Sequence, residues 1–576
     1  MKKALWVCLL LFSNLIIAQE LATINGKVLD DQDNPIPFAS VYVGELQKGN
    51  AANENGEFTI TNVPYGNWNI FASAVGFKTV SVKININSAQ INGVTFQLEV
   101  DSELDAVEVF GNRYSHPDKI EALTRLPLEP YEQIQSISII GEKVIEDQGA
   151  LTISQATKNV PGVYTFATYG NKRESMSSRG FRGIPILKNG VRVHSDFRGV
   201  GILTDMQGVD NIQVLKGSAS ITQGVATDLG SPGGVVNIVT KTPKYQFGGN
   251  ASLRVGSFGQ VRPTFDVYGP LDKKKNVAFR LNGALERADS YRSMISSERF
   301  YINPSLQWRI DDKTKVTLEM DHFNDARTPD VGTVNLGENN VNAIYDLPYN
   351  QYLGFENDRS ITENTTYSLR FDRALSDKLT LKGAFYKSEL DLNDKGSSLG
   401  GAIDVEGETM YNLRQRGYSN STRSDNNSVV QFDLIGDEVA TGSIKHTFQV
   451  GFDYRTTDFS TRSESMSVVD TIDVFSANSH NLPSISFGNA RVSSGKSKSI
   501  GFVAQDVISF TDWFKTFLGV RYSTTETISG EENNRSDAFN PLGGIIVSPT
   551  KNINVFASYT NSAYPRTAAR LGENGE

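Results

Sequence analysis

The stretch Val277-Ala278-Phe279-Arg280-Leu281-Asn282-Gly283-Ala284-Leu285-Glu286 alternates with a period of two. Val277, Phe279, Leu281, Gly283 and Leu285 fall on one face of an extended chain, and Ala278, Arg280, Asn282, Ala284 and Glu286 fall on the other. A helix would mix these two sets, so the stretch predicts a strand with one apolar and one polar face. The pattern recurs. Val316, Leu318 and Met320 oppose Lys315, Thr317, Glu319 and Asp321. Leu379, Leu381, Gly383 and Phe385 oppose Thr380, Lys382, Ala384 and Tyr386. Phe448, Val450, Phe452 and Tyr454 oppose Gln449, Gly451, Asp453 and Arg455. A soluble sandwich also alternates, but two features favour a membrane barrel. The segments run to about ten residues, the length of a tilted strand across lipid. Short turns (Leu271 to Lys275, Asp311 to Lys313) alternate with long polar loops (Asn324 to Asn364, Glu389 to Asn426), as expected of a barrel with two unlike rims. About thirteen such strands are predicted after Phe247. The last residues, Gly572 to Glu576, do not read as a closing strand with a terminal aromatic. An open sheet edge in lipid leaves unpaired backbone groups, so the sequence reads as a carboxyl-terminally truncated fragment.

Bulk composition agrees with this reading. Charged residues make up 21% of 576 residues, and mean hydropathy is −0.31, without the long apolar runs of a helical membrane protein. A barrel needs none, because only alternate residues face lipid. The 50 glycines, 21 tyrosines and 31 phenylalanines suit a large antiparallel β protein with tight turns. A net charge of −9 argues against nucleic acid as a partner.

Residues 1–18 read as a signal peptide: Lys2 and Lys3, an apolar run to Ala18, and a cleavage site at Ile16-Ile17-Ala18. The lone cysteine, Cys8, lies inside it, so the processed chain would have no thiol chemistry. Residues 21–100 alternate strand-like runs with turn signals such as Asn55-Gly56 and Val63-Pro64-Tyr65-Gly66, and predict a small β-sandwich. Its acidic turn, Asp30, Asp31 and Asp33, lacks the Gly and Glu of a calcium loop and reads as a solvated turn. Residues 101–114 read as a linker with a β-prone core, Leu104-Asp105-Ala106-Val107-Glu108-Val109. Residues 115–245 mix periods. Glu142 to Asp147 and Ser154 to Val160 predict helices, the second stopped by Pro161-Gly162. Ile184 to Val193 and Ile212 to Leu215 predict strands of a compact α+β module. Residues 246–576 then form the partial barrel.

Within 115–245 the chain resembles the plug domain of TonB-dependent outer-membrane receptors of the siderophore-receptor type. Three motifs carry the resemblance: Ser178-Arg179-Gly180-Phe181-Arg182-Gly183, Leu187-Lys188-Asn189-Gly190-Val191-Arg192, and Val209 through Leu215-Lys216-Gly217 and Gly224 to Ser231-Pro232-Gly233-Gly234 and Thr240-Lys241. Ser218 stands where the family usually has proline, and Gln223 where an aromatic residue usually precedes the glycine. The sandwich resembles the carboxypeptidase regulatory-like domain found ahead of many such plugs. The resemblance implies a mainly β chain: an amino-terminal sandwich, a plug, and an antiparallel transmembrane barrel of 22 strands in the family. Read physically, Gly217, Gly224, Gly233 and Gly234 permit tight turns inside a narrow lumen. Arg179, Gly180, Lys216 and Pro232 are assigned with them to the plug's structural motif. Their spacing does not fit a nucleotide-binding loop.

The resemblance further implies import without enzymatic chemistry, and no HExxH, GxSxG or paired cysteines occur. Leu104, Asp105, Ala106, Val107, Glu108 and Val109 resemble the TonB box, a segment that adds as a strand to TonB, which acts with ExbB and ExbD. Ligand is expected at the plug apices, with Tyr164, Phe166, Tyr169, Arg173, Arg182, His194 and Arg198 as candidates. Aromatic faces and guanidinium groups suit bulky anionic chelates. No resident cofactor or protein metal site is implied. The cargo expected is a ferric siderophore, whose iron arrives already coordinated, so His194 is not expected to ligate it. Cobalamin, another metal chelate, a glycan or a peptide are the alternative cargoes. The implied location is the outer membrane of a Gram-negative bacterium, in contact with its lipid.

Overall fold

A computed structural model describes residues 21–98 (apart from Glu45, Gln47, Val75, Gly76 and Lys78), 119–192, 204–223, 231–338, 341–529, 532–550 and 553–561. The chain divides into two compact units, residues 1–115 and 116–576. The first is a β-sandwich. Leu21–Asp30 is the central strand of one sheet, antiparallel to Glu57–Pro64 and parallel to Gln90–Leu98. The second sheet orders Lys48–Ala51, Ser40–Val43, Gly66–Ser73 and Val80–Ile86. Alternate apolar residues of both sheets, among them Ile24, Val28, Val41, Phe58, Ile70 and Phe96, pack between them as the core. The acidic turn is held by its own chain: the Asp30 carboxylate accepts from the amides of Gln32 and Asn34 and from the Asn34 side chain.

In the second unit, thirteen strands from Gly248–Val255 to Ile553–Thr560 form one sheet in sequence order, each antiparallel to the one before. The alternation turns this wall inside out relative to a soluble protein. Phe279 pairs across with Leu306, and Leu281 with Pro304, on the outer face. Phe265, Leu285, Phe300 and Trp308 of the same outward set are exposed. Arg280 pairs with Ser305, and Asn282 with Asn303, on the inner face. These four are buried, with Asp266 and Asn303 both at 0% exposure. Apolar out and charged in is the arrangement of a transmembrane barrel. No helix among the described residues is long and apolar enough to cross a membrane, and the crossing elements are strands.

Two sequence expectations need correction. Segments of about ten residues underestimate the strands: Leu379–Val405, Glu408–Thr441 and Ile444–Asp473 are 27, 34 and 30 residues long. Only about ten residues of each are needed to cross lipid, so these strands project far past it. The polar stretch Glu389 to Asn426 is therefore not a loop but the upper part of a hairpin, turning at Glu406-Gly407, where both φ angles are positive (54° and 90°). The other expected long loop is shorter than read. It spans residues 328 to 358 and holds a 3-10 turn over Val341–Asp346.

The lumen holds an α+β domain. Its five-stranded sheet orders Val191–Arg192, Ile186–Lys188, Gly234–Thr240, Val209–Lys216 and Ser136–Gly141. Its two longer helices are Glu142–Asp147 and Ile153–Thr157, the second capped by Thr152 and shorter than its pattern suggested. The predicted strand Ile184 to Val193 is, as far as Arg192, a hairpin, and Val193 lies outside the described residues. Asn189 and Gly190 have φ of 51° and 79°, the two left-handed residues of a tight turn. Ile140, Ile145, Ile153, Met176, Ile212, Val214, Val236 and Ile238 form this domain's core.

Candidate functional site: the plug apex and its seat in the barrel wall

The plug is seated by buried charges that meet partners in the wall. Arg125, 5% exposed, donates to Asp433 at 2.5 Å and Asp453 at 2.9 Å, and Arg521 meets the other oxygen of Asp453 at 2.6 Å. Lys188 lies 2.5 Å from Asp321, whose second oxygen accepts from the Tyr301 hydroxyl at 2.6 Å. Lys241 bridges Glu142 of the plug and Asp266 of the wall. The plug's Asp205 reverses the sense and sits between Arg262 at 2.6 Å and Arg299 at 3.4 Å. Burial alone would raise the Asp205 carboxyl, but the Arg262 and Arg299 charges outweigh it and hold it below the usual carboxylate value. One side of the seat is apolar: Leu126, Leu128, Ile134 and Ile221 of the plug pack on Val503, Val507, Phe517, Leu542 and Ile546 of the wall.

The glycine motifs shape the plug between these anchors. Arg179 and Gly180 have φ of 51° and 86°, forming the tight turn between Ser175–Ser178 and Phe181–Arg182. The Gly217 amide donates to the Gly233 carbonyl at 3.1 Å, where the strands after Lys216 and before Gly234 meet. A Cβ on Gly234, at φ 136°, would lie 2.0 Å from the Leu215 carbonyl oxygen. Pro232 is exposed beside this junction. Burial, and then the neighbouring Arg179 charge, lower the Lys216 ammonium from its ordinary value. Gly224 lies outside the described residues.

A second, three-stranded sheet forms the apex: Val163–Ala167, Ser175–Ser178 and Phe181–Arg182. Its middle strand is buried, and its flanks present Tyr164, Phe166, Phe181 and Arg182 to open space. The Arg182 guanidinium stands 5.2 Å from the Phe166 ring centroid. In the connecting loop, Arg173 lies 4.1 Å from the Tyr169 centroid. Tyr169, Gly170 and Asn171 all have positive φ, which folds the loop into a sharp tip. The tip is clasped from the wall: Arg327 donates to the Asn171 carbonyl at 2.7 Å, the Asp330 amide to the Gly170 carbonyl at 3.1 Å, and Lys172 pairs with Asp394 at 2.5 Å. Tyr164, Phe166, Tyr169, Arg173 and Arg182 are thus gathered at one apex. His194 and Arg198, and Leu104 to Val109, lie outside the described residues. Phe181 was not among the candidates although it alternates with Arg182 after the turn. Lys172 could have been suspected from its charge, but its partner, 222 positions away, could not. Stacking and paired charge are the chemistry this surface offers: recognition of a large, electron-rich or anionic ligand.

A strand wall with an apolar outer face and a folded domain seated in its lumen is a plugged transmembrane β-barrel. Comparison with known proteins places it more closely. Residues 24–109 match the CarboxypepD_reg-like domain, residues 129–235 the TonB-dependent receptor plug domain, and residues 303–574 the TonB-dependent receptor-like β-barrel. The chain belongs to the TonB-dependent receptors and carries a carboxypeptidase regulatory-like domain ahead of its plug. Among curated relatives it is 29% identical to the ferrioxamine B receptor of Salmonella typhimurium over 80% of this chain and 64% of that protein. It is 26% identical to the metal-pseudopaline receptor CntO of Pseudomonas aeruginosa over 75% of this chain and 61% of that one. The chain therefore spans less than two thirds of the length of these relatives. The fold is shared with the ferripyoverdine receptor of the Pseudomonas aeruginosa outer membrane, with a TM-score of 0.73 at 18% identity over 96% of this chain and 69% of that one. It is also shared with the siderophore receptor PiuA of Acinetobacter baumannii, with a TM-score of 0.66 at 21% identity over 79% of this chain and 68% of that one.

Proposed function

We propose that this chain is an outer-membrane receptor that imports a ferric siderophore into the periplasm of a Gram-negative bacterium. The observation that carries the reading is the apex. Two guanidinium–aromatic pairs, Arg173 with Tyr169 and Arg182 with Phe166, stand on a clasped loop and sheet that face open space. Bulky chelates that bear negative charge and aromatic or amide donor groups stack on such rings and pair with such cations. The names of the matched relatives, receptors for ferrioxamine B and for metal-pseudopaline, support a chelate as the cargo. Iron then enters as part of the cargo and the protein supplies no ligand to it. His194 and Arg198 are assigned to the same ligand surface.

An outer membrane holds no nucleotide pool, so the work of moving the plug must come from a partner. Leu104 to Val109 are assigned as the TonB box, which pairs main chain to main chain with TonB, itself driven with ExbB and ExbD. The test is growth of a deletion strain, complemented with the full-length gene, under iron limitation on a panel of ferric siderophores. Growth restored by one chelate class supports the proposal. Equal growth on all of them with a defect on cobalamin, glycans or chelates of other metals would replace it.

A further inference from the structure

The amino-terminal sandwich leaves one seam open. Its first sheet ends at Gln90–Leu98 and its second at Val80–Ile86, and among the described residues each of these strands is paired on one side only. The two meet at the corner 87–89, where the Thr23 amide donates to the Ala89 carbonyl. Val80 stands opposite Ala72, Val82 opposite Ile70 and Ile84 opposite Trp68, so these three share the inward face of the second sheet. Ile70 and Ala72 are fully buried there, yet Val82 is 37% exposed. Val80 and Ile84, with Ile91 and Val94 of the other strand, are only partly buried. Inward apolar side chains beside two unpaired edges call for one more strand.

The chain supplies a strand that fits. Gln90–Leu98 runs on into Glu99-Val100-Asp101-Ser102-Glu103 and then Leu104-Asp105-Ala106-Val107-Glu108-Val109. Asp101 and Ser102 are turn formers. A two-residue turn there sets Val107 opposite Phe96 and Val109 opposite Val94, with Ala106 opposite Gln97 and Glu108 opposite Thr95. Phe96 is fully buried, whereas Thr95 and Gln97 are exposed. This register therefore turns Val107 and Val109 into the seam and Glu108 out to solvent, and a slip of one residue would bury Glu108 instead. Facing sheets stand about 10 Å apart, which is two strand spacings of about 4.8 Å, so a single strand spans the gap between the two edges. The match to the carboxypeptidase regulatory-like domain also runs past Leu98 and takes in these residues, ending at 109.

We propose that the open seam takes up residues 104–109 as the last strand of the sandwich, and that TonB engages them only by displacing them from it. The inference rests on the assignment of Leu104 to Val109 as the TonB box. A strand laid in the seam has one edge on Gln90–Leu98 and the other toward Val80–Ile86. TonB adds to an edge of the same segment, so the two pairings exclude each other. The sandwich then sets the fraction of receptors whose box is on offer, and the apparent affinity for TonB falls with that fraction. This gives the domain a part in energy coupling that needs no partner of its own.

The test uses the full chain in detergent and the purified periplasmic domain of TonB as the probe. In a hairpin with a two-residue turn, Thr95 and Glu108 form a non-hydrogen-bonded pair with Cα atoms about 4.5 Å apart, within reach of a disulfide. Cys8 is the only cysteine in the sequence, so Thr95→Cys with Glu108→Cys in a Cys8→Ser background leaves one possible bridge. Mild oxidation is expected to close it, as read by mass spectrometry of the digested chain, whereas Thr95→Cys with Val107→Cys, one position out of register, should stay open. The closed receptor should bind TonB at least about tenfold more weakly than the same protein after reduction. Val82→Lys places a charge in the seam without touching the box. It should bind TonB about tenfold more tightly than the parent, and residues 104–109 should exchange faster in TonB's absence. Protection of residues 21–30 from exchange checks that the sandwich of each variant has folded. A bridge that stays open in the folded chain, a closed bridge that leaves TonB binding unchanged, or a Val82→Lys variant bound no better than the parent overturns the proposal. TonB that binds while leaving the exchange of 104–109 unchanged overturns the box assignment and the proposal with it.

Discussion

Arg125→Met is expected to loosen the plug while leaving the wall intact. Arg125 is buried and its guanidinium serves two wall carboxylates, Asp433 and Asp453. Removing one member of a buried ion pair costs about 3–5 kcal/mol, because the remaining charge is left without compensation. Here the loss falls toward the lower end. Asp453 keeps Arg521 at 2.6 Å, and Asp433 keeps the side-chain amides of Gln431 and Gln449 at 2.7 and 2.6 Å. An effect of about 3 kcal/mol raises the local opening equilibrium by a factor of about 150. Hydrogen exchange of residues 119–128 and 209–216 in the detergent-solubilised chain reads this directly, with exchange of 277–310 as the internal control. Pairing Arg125→Met with Asp433→Asn removes the stranded charge and is expected to restore protection to within about 1 kcal/mol of the parent. Unchanged exchange in the single variant, or a double variant as loose as the single one, refutes the argument.

Four further outcomes follow. Burial raises the Asp358 carboxyl above its ordinary value, against hydrogen bonds from Tyr352 and Ser397 that oppose the shift. Its contribution is therefore complete below about pH 4 and is lost as pH rises through the raised value. Exchange of residues 328–358 should accelerate over that interval, and Asp358→Asn should abolish the dependence; a flat profile in the parent would be the contrary result. Gly190→Ala places a methyl group 1.7 Å from the Ala122 carbonyl oxygen at φ 79°, and should lower plug stability by more than about 1 kcal/mol in the same exchange measurement. Arg173→Ala should weaken binding of the cognate chelate about tenfold by tryptophan quenching, with the melting temperature unchanged. Val107→Pro should stop uptake of radiolabelled chelate while surface binding persists, and uptake at the parental rate would remove the TonB-box assignment.

The wall was legible because lipid and lumen make opposite demands on neighbouring residues. Phe279 and Arg280 could not both be satisfied in any other element. The same logic explains what was misread. From Ser419 to Ser428 every residue is polar, even the buried Asp425 and Asn427 of the inner face, so the apolar–polar alternation that signals a strand disappears. The plug's turn at Arg179-Gly180 was readable, because left-handed backbone restricts residue choice locally, whereas the same signal at Asn189-Gly190 was passed over inside an apolar run read as one strand. The seat was not readable. Arg125 and Asp433 are each unremarkable charges in sequence, and only the seating of the plug against the wall brings them within 2.5 Å. The apex candidates fell between these cases: composition pointed to the aromatic loop, but its clasp by Arg327, Asp330 and Lys172–Asp394 came from the fold alone.

The hydrogen bond between the Asp330 amide and the Gly170 carbonyl ties the loop 328–358 to the plug tip through main-chain atoms, which only a proline at 330 would delete. Arg292 steadies the outer end of that tie by gripping the Asp330 carboxylate and the Gln351 carbonyl together. A swing of the loop must therefore either drag Tyr169 with it or break the tie. The rim and the tip consequently report on each other, much as a latch moves when its door does.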